Sequence, residues 1–207
     1  MRKLRVTSFV TLDGVVQAPG GPDEDREGGF AHGGWAVPRM SQELIGRMTD
    51  LLADAGALLL GRRTYDMFAA TWPLAGADDP IGARMNALPK YVASRTLERV
   101  SWRNSTLLTG DVAEAVAELK RGEGAEIQVH GSGGLLRTLL AHDLVDEFHV
   151  LTFPVLVGPG KRLFGTGTVP AGLRHEGTTV SGGVVISDYV REGAVEYGAM
   201  GPETGNW

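Results

Sequence analysis

The stretch Leu58-Leu59-Leu60-Gly61-Arg62-Arg63-Thr64-Tyr65 joins an apolar run to a polar terminus. The run follows Ala55-Gly56-Ala57 and is typical of a strand that is buried on both faces of a sheet. It stops at a glycine, two arginines and a threonine, which places two cations and a hydroxyl at the carboxyl end of the strand. Ligands of open α/β sheets bind at that end, and a guanidinium group can donate to two phosphate oxygens at once. The alternative is a solvated arginine pair at the start of a helix.

A second strand ends in a comparable way. The segment 127–130 runs into Gly131-Ser132-Gly133-Gly134, and leucine pairs four residues apart follow, as on one face of a helix. A strand, a glycine turn and a helix together present free N–H groups and the positive end of a helix dipole to a phosphate. The turn lacks the full spacing of the Rossmann fingerprint, so we do not assign that motif.

The first strand, 4–12, ends in the turn sequence Thr11-Leu12-Asp13-Gly14. The following segment, up to residue 40, is rich in glycine and shows no periodicity. A long segment of this kind is a lid, a binding loop or a disordered insertion. Phe30 and Trp35 lie at its far end, where they either fold over a ligand or anchor the loop to the body.

Helical and strand patterns alternate along the rest of the chain. Ser41 and Asp111 have the character of helix N-caps, and Ser181-Gly182-Gly183 predicts a hairpin turn. The remaining predicted elements are helices over 64–70 and 81–88, strands over 90–97 and 106–109, a long strand over 148–157 with Pro154 at a bulge or edge, and hairpin strands over 173–180 and 184–190.

This order predicts an α/β fold with a mostly parallel twisted central sheet, helices on both faces and a C-terminal antiparallel hairpin. We expect one domain over residues 1–192 and a flexible tail over 193–207. The strand ends at Asp13, Gly61 and Gly131 should gather along one edge of the sheet.

The composition excludes several classes of function. The chain has 207 residues, no cysteine and a net charge of −5, which disfavours nucleic acid and acidic membranes as partners and rules out thiolate chemistry. No His/Asp/Glu spacing indicates a metal site. No apolar run approaches the roughly 20 residues of a membrane span, so we expect a cytoplasmic protein.

Several motifs stand in the order seen in the dihydrofolate reductase superfamily, which this chain therefore resembles over about residues 3–191. They are Thr11-Leu12-Asp13-Gly14, Gly61-Arg62-Arg63-Thr64-Tyr65, Ser94-Arg95-Thr96-Leu97, His130-Gly131-Ser132-Gly133-Gly134-Leu135 and Leu144-Val145-Asp146-Glu147. The block Gly158-x-Gly160-x-x-Leu163-Phe164 is more specific. It is similar to the branch that contains the reductase domain of bacterial riboflavin-pathway deaminase–reductases and their stand-alone relatives.

The resemblance implies a three-layer fold, NADPH as cofactor, a small-molecule substrate and a homodimer. By position it places Arg62, Arg63 and Thr64, with Gly61 before them, at the 2′-phosphate. The remaining implied contacts are Ser94 and Arg95 at the adenosine end, Gly131, Ser132, Gly133, Gly134 and Leu135 at the pyrophosphate, Thr11 and Asp13 near the nicotinamide and substrate, and Trp35 and Ile45 at the substrate.

The proton donor departs from the pattern of the superfamily. Dihydrofolate reductases carry a carboxylate on the helix before the second strand, and Ile45 stands at about that position here. Glu43 and Asp50 are the nearest acids, and neither shares the apolar stripe of the helix. Asp13 is the candidate donor, although its alternative role is to accept turn N–H groups. His130 abuts the glycine turn and is expected to be a satisfied core residue.

Three functions are consistent with these features. The first is an NADPH-dependent reductase that transfers a hydride to a C=N bond of a small polar heterocycle or ribitylated compound. The second is the riboflavin-pathway reductase itself, without the zinc deaminase, whose cysteine ligands are missing. The third is a nucleotide-binding protein without turnover.

Overall fold

A single eight-stranded sheet organises the protein. The computed structural model describes residues 1–76, 78–166 and 168–201. The sheet has the strand order β4-β3-β2-β5-β1-β6-β8-β7. The strands are β1 (Leu4–Thr11), β2 (Ala55–Gly61), β3 (Lys90–Ala93), β4 (Ser105–Leu107), β5 (Glu126–His130), β6 (Glu147–Phe153), β7 (Gly172–Ser181) and β8 (Val184–Gly193).

Two of the helices begin at polar caps that the sequence indicated. The helices are α1 (Gln42–Ala53), α2 (Arg62–Thr71), α3 (Pro80–Ala87), α4 (Val112–Arg121) and α5 (Gly133–Ala141). The Ser41 hydroxyl accepts from the Leu44 N–H at 3.1 Å, and Asp111 accepts from the Glu114 N–H at 2.9 Å. Both predicted N-caps are therefore confirmed.

The topology confirms the predicted fold class. Strands β4, β3, β2, β5, β1 and β6 pair in parallel, whereas β8 pairs antiparallel with both β6 and β7. Gly182 and Gly183 both have positive φ, at +59° and +80°, as expected in a two-residue hairpin turn. All strands except the hairpin therefore deliver their carboxyl ends to one edge.

Helices cover both faces of this sheet, which explains the unbroken apolar run in β2. Leu59 packs with residues of α4 and α5, whereas Leu58 and Leu60 pack with Leu52 of α1. Successive side chains of a strand point to opposite faces, so a strand between two helical layers needs apolar residues at every position.

Strands β3 and β6 each end four residues earlier than the sequence predicted. Strand β3 stops at Ala93 because the Ser94 hydroxyl accepts from the N–H groups of Thr96 and Leu97, which makes a turn. Strand β6 stops at Phe153, and Pro154, which has no N–H to continue the ladder, follows directly. Pro154 thus terminates the strand and is not a bulge within it.

The long glycine-rich segment is anchored to the body. It contains two short 3₁₀ turns, Glu27–Gly29 and Val37–Arg39. Phe30 and Trp35 are buried, and the Trp35 ring packs edge-on against Phe153 at 5.3 Å. Its indole N–H donates to the Gln17 carbonyl at 2.8 Å. Of the two roles considered for these aromatic residues, the structure shows the anchoring one.

The predicted tail lies partly outside the described residues. Strand β8 extends through Gly193, so this residue of the tail is paired with β7. Residues 202–207 are not described, and the flexible tail stays a prediction.

Candidate functional site

The ends of β2 and β5 are joined directly at the carboxyl edge. The Gly61 N–H donates to the Ser132 hydroxyl at 2.9 Å, and the Ser132 N–H donates to the Thr64 hydroxyl at 3.2 Å. A Cβ atom on Gly61 would lie 3.4 Å from Ser132, closer than most such contacts. These bonds place the first turns of α2 and α5 side by side, so two positive helix ends face one region.

The glycine turn changes its backbone conformation after Ser132. Gly131 and Ser132 adopt left-handed conformations, both with φ of +56°, whereas Gly133 and Gly134 are already helical. The strained Ser132 is held by its bonds to Gly61 and Thr64. A Cβ on Gly133 or Gly134 would meet nothing within 4 Å. Both glycines therefore border open space, and their N–H groups have no acceptor within their own helix.

Arg62, Arg63 and Thr64 do not converge as predicted. Arg62 Nη1 donates to the Thr96 hydroxyl, in the turn after β3. Arg63 points the other way and pairs with Glu27, and the Thr64 hydroxyl is engaged by Ser132. The Arg63 side chain is 65% exposed, so its pairs contribute little to stability. Their main effect is to turn Arg63 away from Arg62.

Arg63 belongs to an ionic cluster that holds the glycine-rich segment. Lys161 also pairs with Asp25, and with Glu27 at 2.7 Å, while Arg63 lies 3.5 Å from Asp25. The hydrogen bond from Arg63, followed by that from Lys161, lowers the pKa of Glu27 to about 2. The carboxylate therefore stays ionised and keeps Arg63 engaged.

The turn after β3 forms the outer part of the site. The Ser94 hydroxyl accepts two N–H groups within that turn, which leaves its O–H to donate to a ligand. Arg95 is exposed and makes no ion pair with any residue that the structure describes. Arg62 pairs with Asp66 at 3.4 Å, but both side chains are half exposed. Arg62 and Arg95 are therefore the cations available to an anion beside the place where the first turns of α2 and α5 lie side by side. We call this place the α2–α5 junction.

Thr11 and Asp13 serve the turn that follows β1. The Thr11 hydroxyl donates to Asp13 Oδ1 at 2.6 Å and accepts from the Val15 N–H at 2.9 Å. Asp13 Oδ2 accepts from the Gly158 N–H at 2.8 Å. The bond from Thr11 is the largest cause that lowers the pKa of the Asp13 carboxyl. A proton donor needs the opposite shift, so this geometry supports the alternative role of Asp13, accepting turn N–H groups.

The two remaining implied contacts differ in exposure. Ile45 lies in the first half of α1 and is partly exposed, whereas Trp35 is 8% exposed. Leu135 is also buried, and its side chain packs in the core beneath α5. Only the N–H of Leu135 is thus presented to the edge. The cofactor and substrate roles of all these residues stay predictions.

Sequence reasoning missed a line of polar residues on the α1 face. Thr7 pairs in register with His130 on one side and with His149 on the other, and His149 pairs with Asp188 of β8. Residues paired in this way point to the same face. We call Thr7, His130, His149 and Asp188 the polar row. One member of the polar row, His130, was singled out from the sequence, and the polar residues at alternating positions of β6, Glu147 and His149, were a further trace of it.

Burial lowers the pKa of His130 to about 4, with repulsion from His149 as the second cause. The ordinary pKa of a histidine is about 6.5, so between pH 6.5 and 4 this side chain binds a proton in the unfolded chain but not in the folded protein. The free energy of unfolding therefore falls as the pH drops through this window. When the pH is lowered from 7 to 4.5, we expect the free energy of unfolding to fall by about 2 kcal/mol more in wild type than in His130→Gln, as measured by urea unfolding. Equal losses would contradict the neutral state of His130.

Two features are not found in the part of the chain that the structure describes. Among the described residues, no group of three or more His, Asp or Glu residues could hold a metal ion. No helix in the described ranges is long and apolar enough to cross a membrane.

Comparison with known proteins identifies the family. Residues 2–187 match the RibD C-terminal domain family. The chain belongs to the RibD C-terminal domain family. The uncharacterized protein YyaP of Bacillus subtilis (strain 168) is a relative, 28% identical over 170 residues, which cover 79% of this chain and 80% of YyaP.

Solved structures of RibD-like proteins share the fold. A pyrimidine reductase-like protein from Corynebacterium diphtheriae is 15% identical, with a TM-score of 0.64 and coverage of 92% of both chains. A diaminohydroxyphosphoribosylaminopyrimidine deaminase/5-amino-6-(5-phosphoribosylamino)uracil reductase from Thermotoga maritima is 14% identical, with a TM-score of 0.60. This chain is covered to 92% and spans 56% of the Thermotoga protein. At these identities the likeness supports the fold alone.

Proposed function

We propose that this RibD C-terminal domain protein is an NADPH-dependent reductase that transfers a hydride to a C=N bond of a small polar heterocycle. The observation that carries the proposal is the α2–α5 junction. Two helix N-termini lie side by side there, open space borders Gly133 and Gly134, and Arg62 stands just outside. Free N–H groups and a nearby guanidinium group match a nucleotide with phosphates at two places.

The residues present fit this cofactor. The N–H groups of Gly133, Gly134 and Leu135 would hold the pyrophosphate, since a Cβ on either glycine would meet no other part of the described chain within 4 Å. Arg62 and Arg95 would hold the 2′-phosphate. When bound, the cofactor supplies the hydride, and the protein contributes position and exclusion of water.

Two other functions remain candidates. The Thermotoga neighbour is named in part as a 5-amino-6-(5-phosphoribosylamino)uracil reductase. The pyrimidine 5-amino-6-(5-phosphoribosylamino)uracil is therefore the first substrate to test. A nucleotide-binding protein without turnover is the other. Steady NADPH oxidation with any substrate separates the reductases from the binding protein. A cytoplasmic homodimer remains part of the proposal.

Cofactor choice and turnover are tested together. We expect the protein to oxidise NADPH with a pyrimidine, pterin or quinonoid compound, and to bind NADPH about 10- to 100-fold more tightly than NADH. This range corresponds to the roughly 1.5–3 kcal/mol of one charge-assisted contact. Arg62→Ala should abolish the preference, as measured by calorimetric titration of both nucleotides.

Arg63→Ala is the matched control. It removes a guanidinium group from the next position of the same helix, but one that is turned toward Glu27. The preference for NADPH should survive this change. If Arg63→Ala abolishes the preference and Arg62→Ala does not, the 2′-phosphate lies on the other side of α2. If wild type binds both nucleotides equally, the cofactor assignment is wrong.

A further inference from the structure

The polar row contains two buried polar atoms without a hydrogen-bond partner among the described residues. They are the Thr7 hydroxyl oxygen and His149 Nε2. Thr7 is 7% exposed and His149 is 8% exposed, and the two residues are register partners on adjacent strands. Buried polar atoms are nearly always satisfied, so two neighbouring exceptions on one face indicate a place where the polar atoms of a ligand bind.

Asp188 fixes the orientation of His149. His149 Nδ1 is hydrogen-bonded to Asp188 Oδ1. A carboxylate can only accept hydrogen bonds, so Nδ1 carries the hydrogen, and Nε2 is the ring nitrogen without a partner among the described residues. A histidine held by an acid at one nitrogen, with the other nitrogen free, is the arrangement by which proteins position an imidazole for proton transfer.

The polar row lies beneath α1 and borders the glycine turn. On the β5 side, Gln128 Nε2 donates to the Leu51 carbonyl of α1 at 2.7 Å. On the β6 side, Leu151 packs in one core cluster with Leu44 of α1. Helix α1 therefore crosses the polar row between Leu44 and Leu51, the segment that contains Ile45. His130, at the other end of the polar row from Asp188, immediately precedes Gly131.

We propose that His149 donates the proton that accompanies hydride addition, that Asp188 positions its ring, and that the Thr7 hydroxyl binds a polar atom of the substrate. This inference rests on the proposed reductase function. As the carbon of the C=N bond gains the hydride, the π-electron pair moves to nitrogen. That nitrogen forms an N–H bond with the proton from His149 Nε2. His149 is left neutral and regains a proton from solvent, so each turnover consumes one NADPH and one proton.

The carboxylates that were considered first are engaged elsewhere. Asp13 is held in its ionised form by Thr11 and by the Gly158 N–H. The Glu43 carboxylate accepts from the Gly182 N–H at 3.4 Å, in the hairpin turn. Asp50 is exposed. His149 is thus an acid–base group of the described chain that is buried on the α1 face and has a free nitrogen.

The first test measures the kcat of wild type, His149→Asn, Asp188→Asn and His175→Asn. The substrate is the one that wild type reduces fastest in a panel of pyrimidine, pterin and quinonoid compounds. His175 is an exposed histidine on β7 and serves as the control. We expect His149→Asn to lower kcat by about 10²–10⁴, the contribution of a positioned acid. Asp188→Asn should lower kcat by a smaller factor, and His175→Asn should leave it unchanged. The Kd for NADPH should be the same in all four proteins.

The second test uses wild type alone and involves no turnover during the measurement. Wild type labelled with ¹⁵N-histidine is titrated with the same compound without cofactor, and the side-chain nitrogen resonances are followed. We expect the Nε2 resonance of His149 to move and that of His175 to stay. An unmoved His149 resonance overturns the proposal, even if His149→Asn is inactive through misfolding.

The outcomes separate this proposal from the proposed function. If wild type is an active reductase and His149→Asn retains a kcat within threefold of it, the reductase function stands and the proton donor is another group. If wild type oxidises NADPH with no compound of the panel, both the proposed reductase function and the proposal that His149 is the proton donor are wrong. A lowered kcat together with a moved His149 resonance supports both.

Discussion

Replacing Gly133 with valine is expected to weaken nucleotide binding by about 10- to 100-fold while the protein stays folded. A Cβ at this position would meet no other part of the described chain within 4 Å, so the fold has room for the new side chain. The space that the valine would enter is the one we assign to the pyrophosphate. Crowding a well-fitted contact costs about 1–3 kcal/mol, and each 1.4 kcal/mol is a factor of ten in affinity. Calorimetric titration with NADPH gives the measurement.

A valine at Gly46 provides the matched control. Gly46 is also helical, exposed and free of neighbours within 4 Å of a Cβ, but it lies in α1. Both variants exchange a helical glycine for the same β-branched residue, so their unfolding midpoints should be similar. Only Gly133→Val should lose nucleotide binding. If Gly133→Val binds NADPH as wild type does, the phosphates lie elsewhere and the α2–α5 junction is purely structural.

The fold was predictable because its signals are local. An apolar run of strand length, flanked by small residues and followed by a helix, indicates a parallel strand wherever it occurs. The Ser41 and Asp111 caps and the double-glycine hairpin act through bonds within four residues of themselves. Such features identify elements and their order, and short connections with a fixed hand then restrict the sheet topology.

The directions of the site side chains were not predictable. Arg62 and Arg63 are adjacent in sequence, yet Arg62 contacts the turn after β3 and Arg63 contacts an acidic loop 36 residues earlier. That loop has no periodicity that would place it. Thr64 likewise turned out to bond Ser132, because two strands distant in sequence are neighbours in the sheet. The sequence therefore located the region of the site but not the groups free to act there.

The role of His149 was not predictable from the sequence either. A polar residue in a strand can be solvated, paired or functional, and only its partners decide which. Its partner Asp188 is 39 residues away, in an antiparallel strand whose register sequence alone does not specify. Thr7 reads as an ordinary β-branched strand residue until the register places it beside His149. Sequence reasoning therefore considered as proton donors only the acids near the motifs, and in the structure these acids are hydrogen-bonded to other groups or exposed.

Dihydrofolate is expected to be a poor substrate, with kcat/KM below the ~10⁴–10⁸ M⁻¹s⁻¹ range of ordinary enzymes. The resemblance to dihydrofolate reductases places a carboxylate on the helix before the second strand. Here that helix, α1, has Ile45 at about the equivalent position, and Glu43 and Asp50 are directed elsewhere or exposed. An isoleucine can neither donate a proton nor hydrogen-bond a pterin ring. Losing a positioned acid alone costs about 10²–10⁴ in rate.

The assay compares dihydrofolate reduction by wild type, Ile45→Asp and Asp13→Asn at saturating NADPH. Ile45→Asp places a carboxylate at about the helix position where dihydrofolate reductases carry one and should raise kcat/KM for dihydrofolate, since a site that hydrogen-bonds its substrate discriminates far more strongly than an apolar one. Asp13→Asn should leave the low rate as it is, because that carboxylate is bound to Thr11 and to the loop after β6. A wild-type kcat/KM within the ordinary range would contradict the argument. If Asp13→Asn abolished such an activity, Asp13 would be the acid despite its lowered pKa, and a rate unaffected by Asp13→Asn would point to His149.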